Sequence, residues 1–365
     1  MLKTIRSEWS LAAVWGSALI WMFAAPDFSG PSPSVPLAFG GLVWICTAIL
    51  FAAFAVVRHA DVLAERYGEP YGTMILTFSV ISLEVLMIAA LMLQGDQPAL
   101  ARDTMYSVVM IVLTGLVGIC LLVGGIKFHE QSFNLKGASS YLAMILPLAC
   151  IGLILPEFTK SGPFKGFSNG QAIGLTILSA SVYAVFLVFQ TTSHRKFFVH
   201  DQDAPTGNDA HQHASPHSTW WHVLLLLAYI VPVVILAKRL AAILDFGTDK
   251  AGLPVALGGL IVAALILAPE GLTAVQSAGR NQLQRSVNLL LGSVLATIGL
   301  TIPAALLIGL FTGQDVILGL DMAEVTLLVV VLALSMLTFG QGRTNMLHGA
   351  IHFVLFGVYL FLVFD

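Results

Sequence analysis

Tyr71-Gly-Thr-Met-Ile-Leu-Thr-Phe-Ser-Val-Ile-Ser-Leu-Glu84-Val-Leu-Met-Ile88 is an apolar run with a carboxylate in its middle. Glu84 stands at least ten residues from the polar loop on either side, too deep to reach water by stretching its side chain. A second run, Leu260-Ile-Val-Ala-Ala-Leu-Ile-Leu-Ala-Pro-Glu270-Gly-Leu-Thr-Ala-Val275, repeats the arrangement. A helix needs about 20 apolar residues to cross the hydrocarbon core, and both runs lie within spans of that order, Pro70 to Leu93 and Leu253 to Gln276. An ion at mid-bilayer costs at least ~2.5 kcal/mol, so each glutamate is expected to face a cavity or to hold a proton or cation. No lysine or arginine lies at matching depth in either run to neutralise it.

The rest of the chain obeys the same solvent. Hydrophobic residues make up 57% of the 365 and charged residues 10%, with mean hydropathy +0.89, which excludes a water-soluble domain of this size. Strand-type alternation is absent, so the spanning elements are expected to be α-helices and not barrel strands. The net charge of −3 and the lack of a large basic cluster exclude a nucleic-acid partner. Cys46, Cys120 and Cys150 sit singly in apolar runs and read as small buried hydrophobes. No phosphate-binding glycine loop, nucleophile elbow or HExxH pattern is present, so neither an ATP-driven pump nor a soluble-type hydrolase is expected, and no cofactor.

About eleven spans are predicted: Leu11 to Ala25, Pro36 to Val57, Pro70 to Leu93, Thr104 to Ile126, Ala138 to Pro156 and Asn169 to Thr191, then Trp220 to Leu244, Leu253 to Gln276, Arg285 to Phe311, Met322 to Phe339 and Met346 to Phe364. The first run reads as a retained helix and not a cleaved signal peptide. A weak internal repeat relates the two sets. A shift of about 186 positions places Gly72 on Gly258 and Glu84 on Glu270, and one of about 183 places Arg102 on Arg285 and Thr114 on Thr297. Five spans per repeat is an odd number, so the second repeat enters the membrane in the opposite sense.

The expected organisation is therefore residues 1–30 as an extra N-terminal transmembrane helix, 31–193 as a five-helix repeat carrying Glu84, 194–219 as a linker, and 220–365 as a second repeat carrying Glu270. The linker holds His200, His211, His213 and His217 with Asp201, Asp203 and Asp209, and reads as a solvated tether. Basic residues Arg58, Arg66, Lys127, Lys136, Arg195, Lys196, Arg280, Arg285 and Arg343 collect in loops on one side, which places the N-terminus and the linker in the cytoplasm. Lys238, Arg239 and Lys250 fall on the other side and oppose that assignment.

Further oxygen ligands accompany the carboxylates. Pro269 lacks an N–H and so removes the helical partner of the Leu265 carbonyl, and Gly271 permits close backbone approach. Thr77, Ser79 and Ser82 lie near Glu84; Ser293, Thr297 and Thr301 lie in the helix after Glu270, with Thr114 as the repeat counterpart of Thr297. Carboxylates, carbonyls and hydroxyls form a hard set suited to Ca2+ or Na+ and not to soft metals, and two negative charges suit a divalent ion best. Proton and cation compete for the same oxygens, which is the chemistry of an antiporter. An intramembrane acid/base enzyme and a passive cation channel are the readings of other classes; a channel shows no stoichiometric counter-movement of protons.

Glu65, Arg66 and Glu69 precede the Glu84 helix, where the two glutamates are candidates for an entrance or gate. His348 and His352 stand four apart on the last helix; with no cysteine or carboxylate on that face they read as inter-helix hydrogen bonding and not as metal ligands.

Two stretches resemble a known family. These are His59-Ala-Asp-Val-Leu-Ala-Glu-Arg-Tyr-Gly-Glu-Pro-Tyr-Gly-Thr-Met through Glu84-Val, and Ala268-Pro-Glu270-Gly-Leu-Thr-Ala-Val with Asn288-Leu-Leu-Leu-Gly-Ser-Val-Leu-Ala-Thr-Ile-Gly-Leu-Thr-Ile-Pro303. They are similar to the cation/proton exchangers of the calcium/cation antiporter superfamily, most of all the bacterial ChaA-type branch. The resemblance implies a bacterial inner-membrane antiporter, with Glu84 and Glu270 as ion-binding and proton-carrying residues and Ser293 as a lesser ligand. Many members carry Gly-Asn shortly before each glutamate, where this chain has Val80-Ile81 and Leu267-Ala268. The expected cargo is Ca2+ exported for protons, with Na+ or K+ exchange as the alternative.

Overall fold

The computed structural model describes residues 8–23, 34–68, 71–93, 98–159, 167–198 and 218–364. In chain order these form α1 (Trp9–Phe23), α2 (Val35–Tyr67), α3 (Tyr71–Met92), α4 (Leu100–Phe128), β1 (Glu130–Ser132), α5 (Leu135–Phe158), α6 (Asn169–Ser193), α7 (Thr219–Ala251), α8 (Ala256–Ala278), α9 (Leu283–Thr312), α10 (Met322–Phe339), β2 (Arg343–Asn345) and α11 (Met346–Val363). Ten of the helices are long and apolar enough to span a bilayer, and α1 is a shorter apolar helix of 15 residues. The architecture is thus one extra N-terminal helix followed by two inverted five-helix repeats.

The repeat is written most clearly in α2 and α7. Each is 33 residues long, about 50 Å at 1.5 Å per residue, against ~30 Å of hydrocarbon. The sequence places their ends at the first charges, Arg58 and Asp245, yet both helices run on. What stops them is a glycine at positive φ, Gly68 (φ 61°) and Gly252 (φ 65°), 184 positions apart. A charged side chain is a tolerable helix former once it clears the lipid, whereas a glycine at positive φ ends the ladder outright.

The helices gather into two compact units, and each draws on both halves of the sequence: residues 1–100 with 214–268, and 101–213 with 269–365. In the first, α2 packs along α7 through small side chains, with Ala48, Ala52, Ala237 and Ala241 in a core completed by Ile45, Ile49, Val56, Met87 and Leu236. α1 seals one side, where a Cβ on Gly41 would lie 2.6 Å from the Trp21 ring. One end of this unit holds a polar network from three helices. Glu8 accepts from Arg58 at 2.6 Å and from Tyr229 at 2.9 Å, Ser10 meets Tyr229 at 2.7 Å, and the Nδ1 atoms of His59 and His222 face each other at 3.0 Å. His59 lies late in α2 and His222 early in α7, so the two helices run antiparallel, as inverted repeats require.

In the second unit the third helix of each repeat packs against the fifth helix of the other. Gly118 and Gly349 bring α4 and α11 into backbone contact: a Cβ on Gly349 would meet Leu122 N at 2.6 Å, and one on Gly118 would meet Phe353 N at 2.8 Å. Small residues at the contact are the usual device where no water drives helices together. α9 packs on α6 in the same way, with Gly299 against Tyr183 as Gly115 is against Phe356. A two-stranded antiparallel pair, Glu130 opposite Asn345 through Ser132 opposite Arg343, joins the loops before α5 and α11.

Residues 194–198 of the expected linker are docked on this unit. Phe198 is buried against Tyr141 and Phe186, and its carbonyl accepts from Asn288 Nδ2 at 2.6 Å. The His and Asp residues at 200–217 lie outside the described residues.

Candidate functional site

Glu84 sits two-thirds along α3, 3% exposed, with Oε1 fully shielded from solvent. Its helical neighbours Val80, Ile81, Leu83, Met87 and Ile88 are all buried apolar side chains. The nearby hydroxyls turn back on their own helix: Ser79 donates to Ile75 O at 2.7 Å and Ser82 to Phe78 O at 2.6 Å. Ser82 is exposed, pointing away from the buried face that carries Glu84, while Thr77 is half-buried. α3 begins close against α2, where a Cβ on Gly72 would lie 2.5 Å from Ala64 O. Glu65 is exposed near the end of α2, one residue before Arg66, which donates to Thr219 at 3.0 Å; Glu69 lies outside the described residues.

Glu270 occupies the related place in α8, half-buried, with Oε2 shielded. Pro269 lies inside the helix, its carbonyl accepts from Thr273 Oγ1 at 2.9 Å, and Leu265, whose carbonyl the proline leaves without its usual donor, is buried. Gly271 is filled by a neighbour: a Cβ there would stand 2.8 Å from Cδ2 and 3.0 Å from Cδ1 of Leu116.

Leu116 closes a π-turn, Ile111–Leu116, in the middle of α4, and α9 carries another at Thr297–Thr301. Thr114 and Thr297, equated by the sequence repeat, thus fall in equivalent distortions, both fully buried. Such turns widen the helix by one residue and recur at functional sites because they release carbonyls from the regular ladder. Thr114 donates to Met110 O, Thr301 Oγ1 is buried without a hydrogen bond, and Ser293 is half-buried one turn before the second π-turn. Among the described residues no three His, Cys, Asp or Glu side chains converge in a metal-binding group.

Residues 37–192 and 221–364 match the profile of the sodium/calcium exchanger protein family, so both repeats fall within it. The chain belongs to that family. Family members are transporters, and their cations are cargo and not resident cofactors. A relative from Escherichia coli (strain K12), described as a sodium-potassium/proton antiporter ChaA, is 44% identical over 338 residues and 92% of each chain. A Ca(2+)/H(+) antiporter from Aphanothece halophytica is 24% identical, over 73% of this chain and 74% of its own. Among solved structures, native YfkE superposes with TM-score 0.73 over 97% of both chains at 19% identity, and the H+/Ca2+ exchanger CAX with TM-score 0.64 over 98% of this chain and 88% of that one at 14% identity. The fold of these exchangers is the one built here.

Sequence reasoning missed several polar contacts near these helices. Arg102 and Asp103 form a buried ion pair at 2.7 Å at the start of α4, with Arg102 also donating to Gly319 O at 3.0 Å. His352 is buried completely and binds both Thr338 Oγ1 at 2.9 Å and Leu113 O at 2.6 Å. The expectation of inter-helix hydrogen bonding holds for His352, and its partner, a π-turn carbonyl, has no sequence signal.

Proposed function

We propose that this chain exports cations from the cytoplasm in exchange for inward protons, with Glu84 and Glu270 as the groups for which cation and proton compete. The observation that carries this reading is that each repeat of an exchanger-family chain keeps one carboxylate, at the same position, with an oxygen shielded from solvent in an apolar helix. A group in that setting is stable neutral, as the acid, or charged with a cation on it. Exchanging one for the other at each face of the membrane couples the two flows without a further energy source.

The cargo is read as Ca2+ together with Na+ and K+. Two carboxylates favour a divalent ion, while Val80-Ile81 and Leu267-Ala268 supply no amide oxygens that would fix one coordination geometry. Relatives named for sodium-potassium/proton and for Ca(2+)/H(+) exchange both support a broad choice. The excess of Lys and Arg in one set of loops supports a cytoplasmic N-terminus and linker in a bacterial inner membrane.

The test is transport by the full chain in everted vesicles carrying a pH gradient, with Ca2+, Na+ and K+ added separately. Dissipation of the gradient by at least one cation is expected, and its absence with all three removes the antiport reading. A cation flux with no matching proton movement points instead to a channel.

A further inference from the structure

We propose that His352 is a positioning residue for ion exchange, one that holds the π-turn Ile111–Leu116 in the register that seats Leu116 on Gly271, beside Glu270. The proposal rests on the reading that Glu270 carries the ion, and the experiment below keeps the two apart.

Hydrogen bonding fixes the imidazole's state. The Leu113 carbonyl can only accept, so the Nδ1 atom 2.6 Å away carries the proton. Nε2 is then the acceptor, and the Thr338 hydroxyl donates to it at 2.9 Å. Both nitrogens are used, and the ring has no exposed surface.

The carbonyl it binds is one that the π-turn sets free. In an unbroken α-helix Leu113 O would take the N–H of Val117. Here that N–H goes to Val112 O and Thr114 O. His352 supplies a donor from another helix, which offsets the cost of the distortion by satisfying a buried carbonyl. Reversion to α-helical register turns every residue beyond the break by about 100° around the axis. Leu116 would then leave Gly271, and Thr114 would change the face it presents.

The other repeat makes the point by difference. Gly115 faces Phe356, and Gly299 in the π-turn of α9 faces Tyr183. Four residues before Phe356 is His352; four before Tyr183 is Ser179, which is also buried. Serine offers one short hydroxyl where histidine offers a ring with a donor on one side and an acceptor on the other. The pseudo-symmetric fold therefore does not demand a histidine at this place, and it stands only on the turn that packs against the Glu270 helix.

The experiment compares wild type with His352→Asn, His352→Leu and Glu270→Gln in proteoliposomes, recording the half-saturation concentration for Na+, K+ and Ca2+ and the thermal stability of each purified chain. Asparagine places an N–H donor at the Nδ1 position and leucine does not. The expected result is a half-saturation concentration raised about five- to tenfold in the leucine variant, and restored to near wild type in the asparagine variant. Wild-type half-saturation in His352→Leu overturns the proposal, as does a loss common to Leu and Asn that tracks a common loss of thermal stability. Normal exchange by Glu270→Gln removes Glu270 from the ion path and takes the positioning role with it. An inactive Glu270→Gln beside a wild-type-like His352→Leu overturns the His352 role alone.

Discussion

Glu84 and Glu270 are each replaceable by an isostere that cannot ionise, which makes the residue scale the sharpest place to test the chemistry. Glu84→Gln and Glu270→Gln should each insert and fold, since glutamine keeps the shape and removes only the charge, yet cation-driven dissipation of a pH gradient should fall below a tenth of wild type, a loss of about 1.4 kcal/mol or more. Full activity in either variant removes that residue from the ion path. Ser82→Ala should leave transport unchanged, because the hydroxyl is exposed and bonds Phe78 O. The two glutamates were legible from sequence because depth in an apolar run is a one-dimensional property. Which hydroxyls accompany them was not. Ser82 and Ser79 lie three residues apart near the same glutamate, and only the three-dimensional helix shows one exposed and the other buried. His352 illustrates the same limit, since its partner Leu113 O is 239 positions away and is made available by a helix irregularity that composition does not encode.

At the scale of elements, the number and order of helices followed from hydropathy, and the helix ends did not. α2 and α7 overran the apolar boundary because polar side chains continue a helix in water, until Gly68 and Gly252 stop them. The two caps differ, and so should their variants. Gly252 is left-handed (φ 65°, ψ 28°), whereas Gly68 (φ 61°, ψ −178°) lies in a region open essentially to glycine alone. Gly252→Ala should cost ~1 kcal/mol and Gly68→Ala more, up to about 3 kcal/mol, measured as the shift in unfolding midpoint in detergent. Equal shifts would show that the caps are not what ends these helices. The contact of α4 with α11 is stricter still, because Gly349 faces backbone and not a flexible side chain. A Cβ there must separate the helices, so Gly349→Ala should destabilise by about 1–3 kcal/mol, while alanine at Gly357, with nothing within 4 Å of its Cβ position, should be silent.

For the whole molecule the proposed antiport makes one property decisive: cation and proton would draw on the same two carboxylates. Each cation bound requires a deprotonated oxygen pair, so raising the pH on the loading side must strengthen cation binding, and lowering it must weaken it. The sign is fixed whatever the cation. Where one proton competes, the half-saturation concentration should fall up to about tenfold per pH unit gained, and up to about a hundredfold where two compete. Ca2+ with its double charge should displace two protons and show the steeper dependence, while Na+ and K+ should show the shallower one. Measuring initial rates for all three ions over a range of pH, with the opposite side held constant, separates these cases. A half-saturation concentration independent of pH, in a chain that still moves protons, would mean that protons travel by a route of their own and that Glu84 and Glu270 serve the cation alone. A steeper slope for Ca2+ than for Na+ would tie the stoichiometry to the number of carboxylates, one from each repeat, and would make the duplication of the five-helix unit the physical origin of the coupling.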